Sequence, residues 1–135
     1  MLSNQQAELK VLVADDHELT RLSLKFSLSK QRNIALVGLA SNGREAIDLV
    51  ERHHPEVLIL DLQMPVMDGL SASTLVKKIE PDTQILAYSS AVEDSQTMPI
   101  TETVSIDGFC HKDAPTEELV ELVHQLGERS LNGTT

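Results

Sequence analysis

The sequence is poor in aromatic side chains and almost free of cysteine. Its 135 residues include no tryptophan, 1 tyrosine and 2 phenylalanines, so the core must be built mainly from aliphatic side chains. The single cysteine, Cys110, excludes an intramolecular disulfide and any cysteine-rich zinc site. No apolar run reaches the length of a transmembrane helix, and residues 1–10 lack the apolar stretch of a signal peptide. We therefore expect a cytoplasmic protein without a membrane segment.

Positive charge is also scarce. There are 21 acidic residues against 11 lysines and arginines, which gives a net charge of -10. A field of this sign repels the phosphates of nucleic acids and the headgroups of anionic lipids. We therefore expect this segment to make no direct contact with nucleic acid or membrane. The length suits one domain, and 41% hydrophobic residues are enough to give it a core.

Five short apolar runs predict the strands of a parallel sheet. They are continuous and rich in β-branched residues, as in strands buried on both faces: Leu9–Ala14, Ile34–Ala40, Val57–Leu60, Ile85–Tyr88 and Phe109–His111. Amphipathic helix patterns lie between or after them, over Arg44–His53, from Asp68 to about Ile79, and from Thr116 to about Glu128. This alternation predicts an α/β fold with a doubly wound, five-stranded parallel sheet.

The segment between the first two runs has an ambiguous pattern. Its apolar residues alternate as in a strand, but parallel strands need a crossover, which favours a helix. On a helix, Leu24 and Leu28 share one face, whereas Leu19, Leu22 and Phe26 lie on the other. This outer face is either a partly covered surface stripe or a docking face for a partner helix.

The segment Ala91–Asp107, where a fourth helix is expected, does not favour regular structure. Pro99 would interrupt a helix there, and several of its neighbours are β-branched. We predict an irregular or shortened fourth helix.

Polar residues follow four of the predicted strands where each one ends. Asp15 and Asp16 follow the first strand, Asp61 the third, Ser89 the fourth and Lys112 the fifth. The carboxyl ends of parallel strands line one crevice of the sheet, so these side chains should converge. Carboxylates crowded together repel each other unless they bind a cation or share a proton, and oxygen ligands favour magnesium, manganese or calcium over zinc.

Such a crevice is suited to phosphoryl transfer. A carboxylate placed between a metal ion and an ammonium group can attack phosphorus and form an acyl phosphate. Lys112 supplies the ammonium group, and the Ser89 hydroxyl could hydrogen-bond the new phosphoryl oxygens. The sequence contains no glycine-rich phosphate-binding loop, so a bound nucleotide is not indicated.

Over roughly Leu9–Gly127 the sequence resembles the receiver domain of two-component response regulators (CheY-like), most closely those of the NarL/FixJ (LuxR) type. The resemblance rests on four segments: residues 61–69 (DLQMPVMDG), 13–17 (VADDH), 41–46 (SNGREA) and 108–113 (GFCHKD). It implies the flavodoxin-like strand order 2-1-3-4-5. It also implies a phosphoacceptor switch, with self-phosphorylation and autophosphatase chemistry, rather than an enzyme with a free substrate.

The resemblance assigns a role to each candidate residue. Asp61 would accept the phosphoryl group from a sensor histidine kinase or a phosphotransfer protein. Asp16 would bind Mg²⁺ (or Mn²⁺) directly and Asp15 largely through water, with the backbone carbonyl of Gln63 as a further ligand.

Three more residues match the family's switch. Lys112 would pair with the phosphoryl group, Ser89 would be the switch hydroxyl, and Phe109 the switch aromatic. Phosphorylation would favour an active arrangement in which Ser89 moves inward and Phe109 is buried.

The resemblance also sets the expected domain organisation. We expect an N-terminal tail at 1–8, a receiver domain at 9–127, and a tail or linker stub at 128–135. Regulators of the NarL/FixJ type usually carry a C-terminal helix-turn-helix domain, so DNA binding for transcription control is expected through an effector domain outside this chain. The sequence is also compatible with a homodimer formed on phosphorylation.

Two other functions are compatible with parts of the sequence. One is a small magnesium phosphohydrolase with Asp61 as nucleophile, although no segment is long enough to form a cap over a substrate. The other is an interaction module that works without phosphorylation, suggested by the unusual segment 91–107.

Overall fold

The computed structural model describes residues 8–90 and 105–131. Within them, five strands alternate with helices: β1 (Leu9–Ala14), β2 (Ile34–Ala40), β3 (Val57–Leu60), β4 (Gln84–Ser89) and β5 (Gly108–His111). The helices are α1 (Glu18–Ser29), α2 (Gly43–His53), α3 (Gly69–Ile79) and α4 (Thr116–Leu131). None of these helices is long and apolar enough to span a bilayer.

All five strands join one parallel sheet in the order β2-β1-β3-β4-β5, which confirms the predicted order. Alternate residues of β1 point to opposite faces, where they enter two separate aliphatic clusters. One cluster is completed by residues of α1 and α4 and the other by residues of α2 and α3. The sheet is therefore doubly wound, and the winding reverses between β1 and β3, where a ligand crevice is expected in such sheets.

Burial on both faces holds for the inner strands but was wrong for the two edge strands, β2 and β5, in which most residues are only partly covered. Every residue of β3 is buried, whereas the five central residues of β2 are only partly covered. The reason is its position at the edge of the sheet, where the helices on either face cover less of the strand. An apolar run alone does not reveal whether a strand lies at the centre or at an edge.

The first crossover is a helix, as predicted. Leu24 and Leu28 of α1 are buried against the sheet. The outer face stays open: Leu19 is 81% exposed, Phe26 66% and Leu22 50%. The ammonium of Lys30 lies 4.2 Å from the centre of the Phe26 ring and covers part of it.

The last helix is longer than predicted, so the expected domain boundary after Gly127 falls inside α4. Gly127 is buried mid-helix, and a Cβ atom there would lie 2.5 Å from Cδ1 of Leu9. It is therefore a close-packing residue and not a helix terminator.

The predicted irregular helix lies largely outside the described residues, which exclude 91–104. Residues 105–107, directly before β5, are not helical.

Candidate functional site at the carboxyl ends of the strands

Two buried carboxylates lie side by side where the winding of the sheet reverses. Asp15 directly follows β1 and Asp61 directly follows β3, and they are 1% and 3% exposed. The sheet hydrogen bonding continues through both: the Asp15 N–H donates to the carbonyl of Ala40, and the Asp61 N–H to that of Ala14, each at 2.9 Å. The backbone therefore holds both side chains at the end of the sheet.

Four side chains of this region meet in one pocket. One carboxylate oxygen from each of Asp15, Asp16 and Asp61, together with Nδ1 of His17, all lie within 4.8 Å of one another. Across from them, Nζ of Lys112 lies 2.6 Å from Oδ2 of Asp15 and 3.4 Å from Oδ2 of Asp61. Within the described residues, the buried Oδ2 of Asp15 accepts no hydrogen bond. The nearby Lys112 ammonium therefore neutralises its charge as an ion pair.

The charges in this pocket do not balance. Three carboxylates face one ammonium group, which leaves two negative charges, the amount that one divalent cation would neutralise. Carboxylate oxygens are the ligands that Mg²⁺ and Mn²⁺ prefer. Asp15, Asp16 and Asp61 therefore fit a hard dication by both donor type and charge.

Asp61 is held in an unfavourable setting for a carboxylate. Burial raises its pKa, and the nearby charge of Asp15 raises it further. The backbone N–H of Gln63, which donates to Oδ1 at 3.0 Å, and the Lys112 ammonium both lower the pKa, but the net direction is upward. An anionic Asp61 in the metal-free chain therefore costs free energy that a bound cation would recover.

The loop after β3 is held tightly against Asp61. The N–H of Gly69 donates to the carbonyl of Leu62 at 3.1 Å, and Asp68 caps α3 by accepting the N–H of Ser71 at 2.8 Å. A Cβ atom at Gly69 would collide with the carbonyl oxygen of Asp61 and lie 2.5 Å from Cα of Leu62. The conformation of segment 61–69 thus requires a glycine where α3 begins.

The same loop contains one strained residue, from which a stability prediction follows. Val66 has φ 71°, a left-handed conformation that is unfavourable for a β-branched side chain, and its side chain is 77% exposed. We expect Val66→Asn to raise the free energy of unfolding by about 1 kcal/mol, because asparagine tolerates this conformation. Urea denaturation of the variant and of a Val66→Ala control, which should gain less, measures the effect. A less stable asparagine variant would contradict the assigned backbone strain.

A second prediction concerns the counter-charge. Lys112→Met leaves the buried carboxylates of Asp15 and Asp61 without their ammonium partner and should destabilise the metal-free chain by about 3 kcal/mol. Mg²⁺ should restore part of this loss by supplying the missing positive charge. Denaturation with and without Mg²⁺ tests both statements, with Lys78→Met on an exposed surface as the control, expected within about 0.5 kcal/mol of wild type. Equal losses in the two variants would show that Lys112 does not balance these carboxylates.

The other predicted residues are Ser89, Gln63 and Phe109. Ser89 is buried at the end of β4, and its carbonyl accepts the N–H of Lys112 at 3.0 Å. Gln63 is exposed beside Asp61. Phe109 on β5 is partly buried against the α2–α3 side of the sheet, with its ring edge-to-face with His111 at 4.9 Å between centres.

One pocket residue was missed by sequence reasoning. His17 was read only as part of the motif around Asp15 and Asp16. Its position directly after two acidic residues is the one signal that could have pointed to it.

Comparisons with known proteins agree with the fold. Residues 11–124 match the family model described as the response regulator receiver domain. The chain is 34% identical to the uncharacterized transcriptional regulatory protein YhcZ of Bacillus subtilis, over 84% of the chain and 52% of YhcZ. It is 32% identical to the response regulator VraR of Staphylococcus aureus, over 87% of the chain and 56% of VraR.

A solved structure gives the same result. The signal receiver domain of the response regulator NarL from Mycobacterium tuberculosis is 30% identical and superposes with a TM-score of 0.82, covering 91% of this chain and 98% of that one. The chain spans about half the length of the curated relatives named above. From the family match and the common fold, it follows that the chain belongs to the response regulator receiver domain family.

Proposed function

We propose that this chain is a magnesium-dependent phosphoacceptor switch. Asp61 takes a phosphoryl group from the phosphohistidine of a sensor histidine kinase or phosphotransfer protein. Asp15, Asp16, Asp61 and the backbone carbonyl of Gln63 hold Mg²⁺, for which Mn²⁺ can substitute. The observation that carries the proposal is the pocket itself, where three carboxylates, one of them the buried and destabilised Asp61, meet one ammonium group.

The transfer is a substitution at phosphorus. A carboxylate oxygen of Asp61 forms the new bond, the phosphorus–nitrogen bond of the phosphohistidine breaks, and the leaving imidazole keeps the electron pair and takes up a proton. A dication held by these residues would neutralise charge on the carboxylates and on the phosphoryl oxygens. Oδ1 of Asp61 accepts the Gln63 N–H, which orients the carboxylate for attack.

Lys112 then exchanges one partner for another. In the unphosphorylated chain its ammonium lies against Asp15 and Asp61. Once Asp61 carries the phosphoryl group, the Lys112 ammonium pairs with the phosphoryl oxygens and the Ser89 hydroxyl donates a hydrogen bond to one of them. The backbone N–H of Lys112 donates a hydrogen bond to the backbone carbonyl of Ser89, so movements at the ends of β4 and β5 are linked.

This linkage is the basis of the switch. Phosphorylation favours the arrangement in which Ser89 is drawn inward and Phe109 is fully buried, which reshapes the surface around β4 and β5. Phe109 is partly buried here, which leaves room for such a change.

The output of the switch is transcription control through a DNA-binding effector domain outside this chain. The names of YhcZ and VraR describe a transcriptional regulatory protein and a response regulator, and both are about twice the matched length. Under this proposal the receiver domain begins at about residue 9 and includes all of α4, to Leu131. It acts in the cytoplasm, and phosphorylation can promote a homodimer. The net charge of -10 supports the view that this segment does not itself contact DNA.

Acetyl phosphate, which needs no kinase, tests the proposal. We expect intact-mass spectrometry to show at most one added phosphoryl group per chain, with Mg²⁺ required. Sustained turnover of p-nitrophenyl phosphate would instead favour a phosphohydrolase. No addition at any Mg²⁺ concentration would contradict the proposal and favour an interaction module that works without phosphorylation.

A further inference from the structure

His17 places a ring nitrogen that could bind a metal ion among the carboxylates of the pocket. Its Nδ1 lies 2.9 Å from Oδ1 of Asp15, 3.2 Å from Oδ1 of Asp16 and 3.8 Å from Oδ2 of Asp61. The backbone N–H of His17 also donates to Oδ1 of Asp15 at 2.9 Å, which holds the residue close to the pocket. The side chain is 62% exposed, so it lies at the mouth of the pocket, on the solvent side of the two buried carboxylates.

These separations match those between ligands of a single metal ion. Two donors that each lie about 2.1 Å from one cation are roughly 3 to 3.5 Å apart when they occupy neighbouring coordination positions. The 3.2 Å distance to Asp16 falls in this range, the 2.9 Å distance to Asp15 lies just below it and is also that of a hydrogen bond, and the 3.8 Å distance to Asp61 exceeds it by a few tenths of an ångström. A small movement of the exposed ring would therefore complete a set of one nitrogen and three oxygens.

The nitrogen changes which metals the pocket prefers. Oxygen-only sites suit Mg²⁺, Ca²⁺ and Mn²⁺, whereas imidazole suits Zn²⁺, Co²⁺ and Ni²⁺, which bind mixed nitrogen and oxygen sites more strongly than Mg²⁺ does. We propose that Nδ1 of His17 is a metal ligand that makes this pocket a site for transition-metal dications of the Zn²⁺ and Co²⁺ class, whereas Mg²⁺ is held by oxygens alone. The inference rests on the proposed function only in that the pocket binds a dication.

Calorimetric titration of the full chain with Zn²⁺ and, separately, with Mg²⁺ tests the inference. We expect His17→Ala to weaken Zn²⁺ binding about tenfold or more and to change Mg²⁺ binding less than about threefold. The His17 side chain makes no capping hydrogen bond to α1, so the helix should not be affected by its removal. His54→Ala is the matched control, because His54 is also a 60%-exposed histidine, paired with Glu80 away from the pocket.

A spectroscopic readout separates direct ligation from an indirect effect. In nitrogen-15 spectra of the histidine rings, Zn²⁺ should move the Nδ1 signal of His17 to the position of a metal-bound nitrogen and leave that of His54 in place.

An unchanged Nδ1 signal, or Zn²⁺ binding that is equally strong in His17→Ala, would overturn the inference. If Mg²⁺ binds wild type but Zn²⁺ affinity does not depend on His17, this inference alone fails. If Mg²⁺ does not bind, the proposed function fails, and the Zn²⁺ result still decides the role of His17.

Discussion

Asp61→Asn is expected to abolish phosphoryl incorporation while raising the free energy of unfolding of the metal-free chain by about 1 kcal/mol at neutral pH. Phosphorylation is lost because an amide oxygen cannot serve as the attacking carboxylate. Stability rises because the substitution removes one of two buried negative charges that lie side by side at the ends of β1 and β3. A gain in stability together with a complete loss of function is typical of a residue kept for chemistry rather than for folding.

The stability gain should depend on pH in a defined direction. Burial raises the pKa of Asp61 in the folded chain above its unfolded value, so the folded state binds this proton more readily. In wild type, the ionised Asp61 therefore lowers the free energy of unfolding by its full amount at pH values above its pKa in the folded chain. It has no such effect at pH values below its pKa in the unfolded chain, which is near 4. The advantage of the Asn variant should therefore be greatest at neutral pH and shrink as the pH falls through that window.

Intact-mass spectrometry after treatment with acetyl phosphate and Mg²⁺, together with urea denaturation at several pH values, measures both effects. Asp48→Asn, at an exposed position on α2, is the matched control and should label like wild type, with stability changed by less than about 0.5 kcal/mol. A large loss of stability in the Asp61 variant would make Asp61 a structural residue and contradict the site described here.

Gly69→Ala should have the largest effect on folding, a loss of about 3 kcal/mol. The added methyl group would collide with the carbonyl oxygen of Asp61 and with Cα of Leu62. Both are backbone atoms at the end of β3, so they cannot move aside without disturbing the sheet. Relief of the clash would shift α3 or the backbone of Asp61, and the rate of phosphorylation by acetyl phosphate should fall as well.

Gly127→Ala is the control for this prediction. Its new methyl group also meets a crowded neighbour, but the contacting atoms belong to the side chain of Leu9, which can rotate. Alanine is also favoured over glycine by about 1 kcal/mol in a helix interior, which offsets part of the cost. Urea denaturation should therefore show a markedly smaller loss for Gly127→Ala. Equal losses in the two variants would mean that the start of α3 does not pack on the end of β3 as described.

Strand positions could be predicted from local sequence, and the convergence of the acidic residues could be predicted from the parallel sheet that the alternation of strands and helices implies. The apolar runs end abruptly at Asp15 and Asp61, and in a parallel sheet such ends must lie at one edge. The order of the strands could not be obtained this way, because apolar runs carry no information on which strand is the neighbour. That order came from the resemblance to receiver domains, and the sheet has it.

The features that were missed depend on tertiary contacts. The partial exposure of β2 follows from its place at the edge of the sheet. Gly127 does not end α4 but packs on the side chain of Leu9 within it, a contact that the local sequence does not reveal. His17 joins the pocket because the backbone turns sharply after β1, so that its ring folds back over Asp15 and Asp16. A sequence motif records that these residues are adjacent, but not that their side chains converge.

The position of the phosphoryl group is the most direct test of the central claim. The chain is treated with acetyl phosphate and Mg²⁺, reduced with borohydride, which converts an aspartyl phosphate to homoserine, then digested and sequenced by tandem mass spectrometry. We predict that homoserine replaces aspartate at position 61 and at no other acidic residue. Homoserine at Asp15 or Asp16, or a phosphoryl group that survives reduction on a serine or histidine, would contradict the assignment of Asp61 as the acceptor.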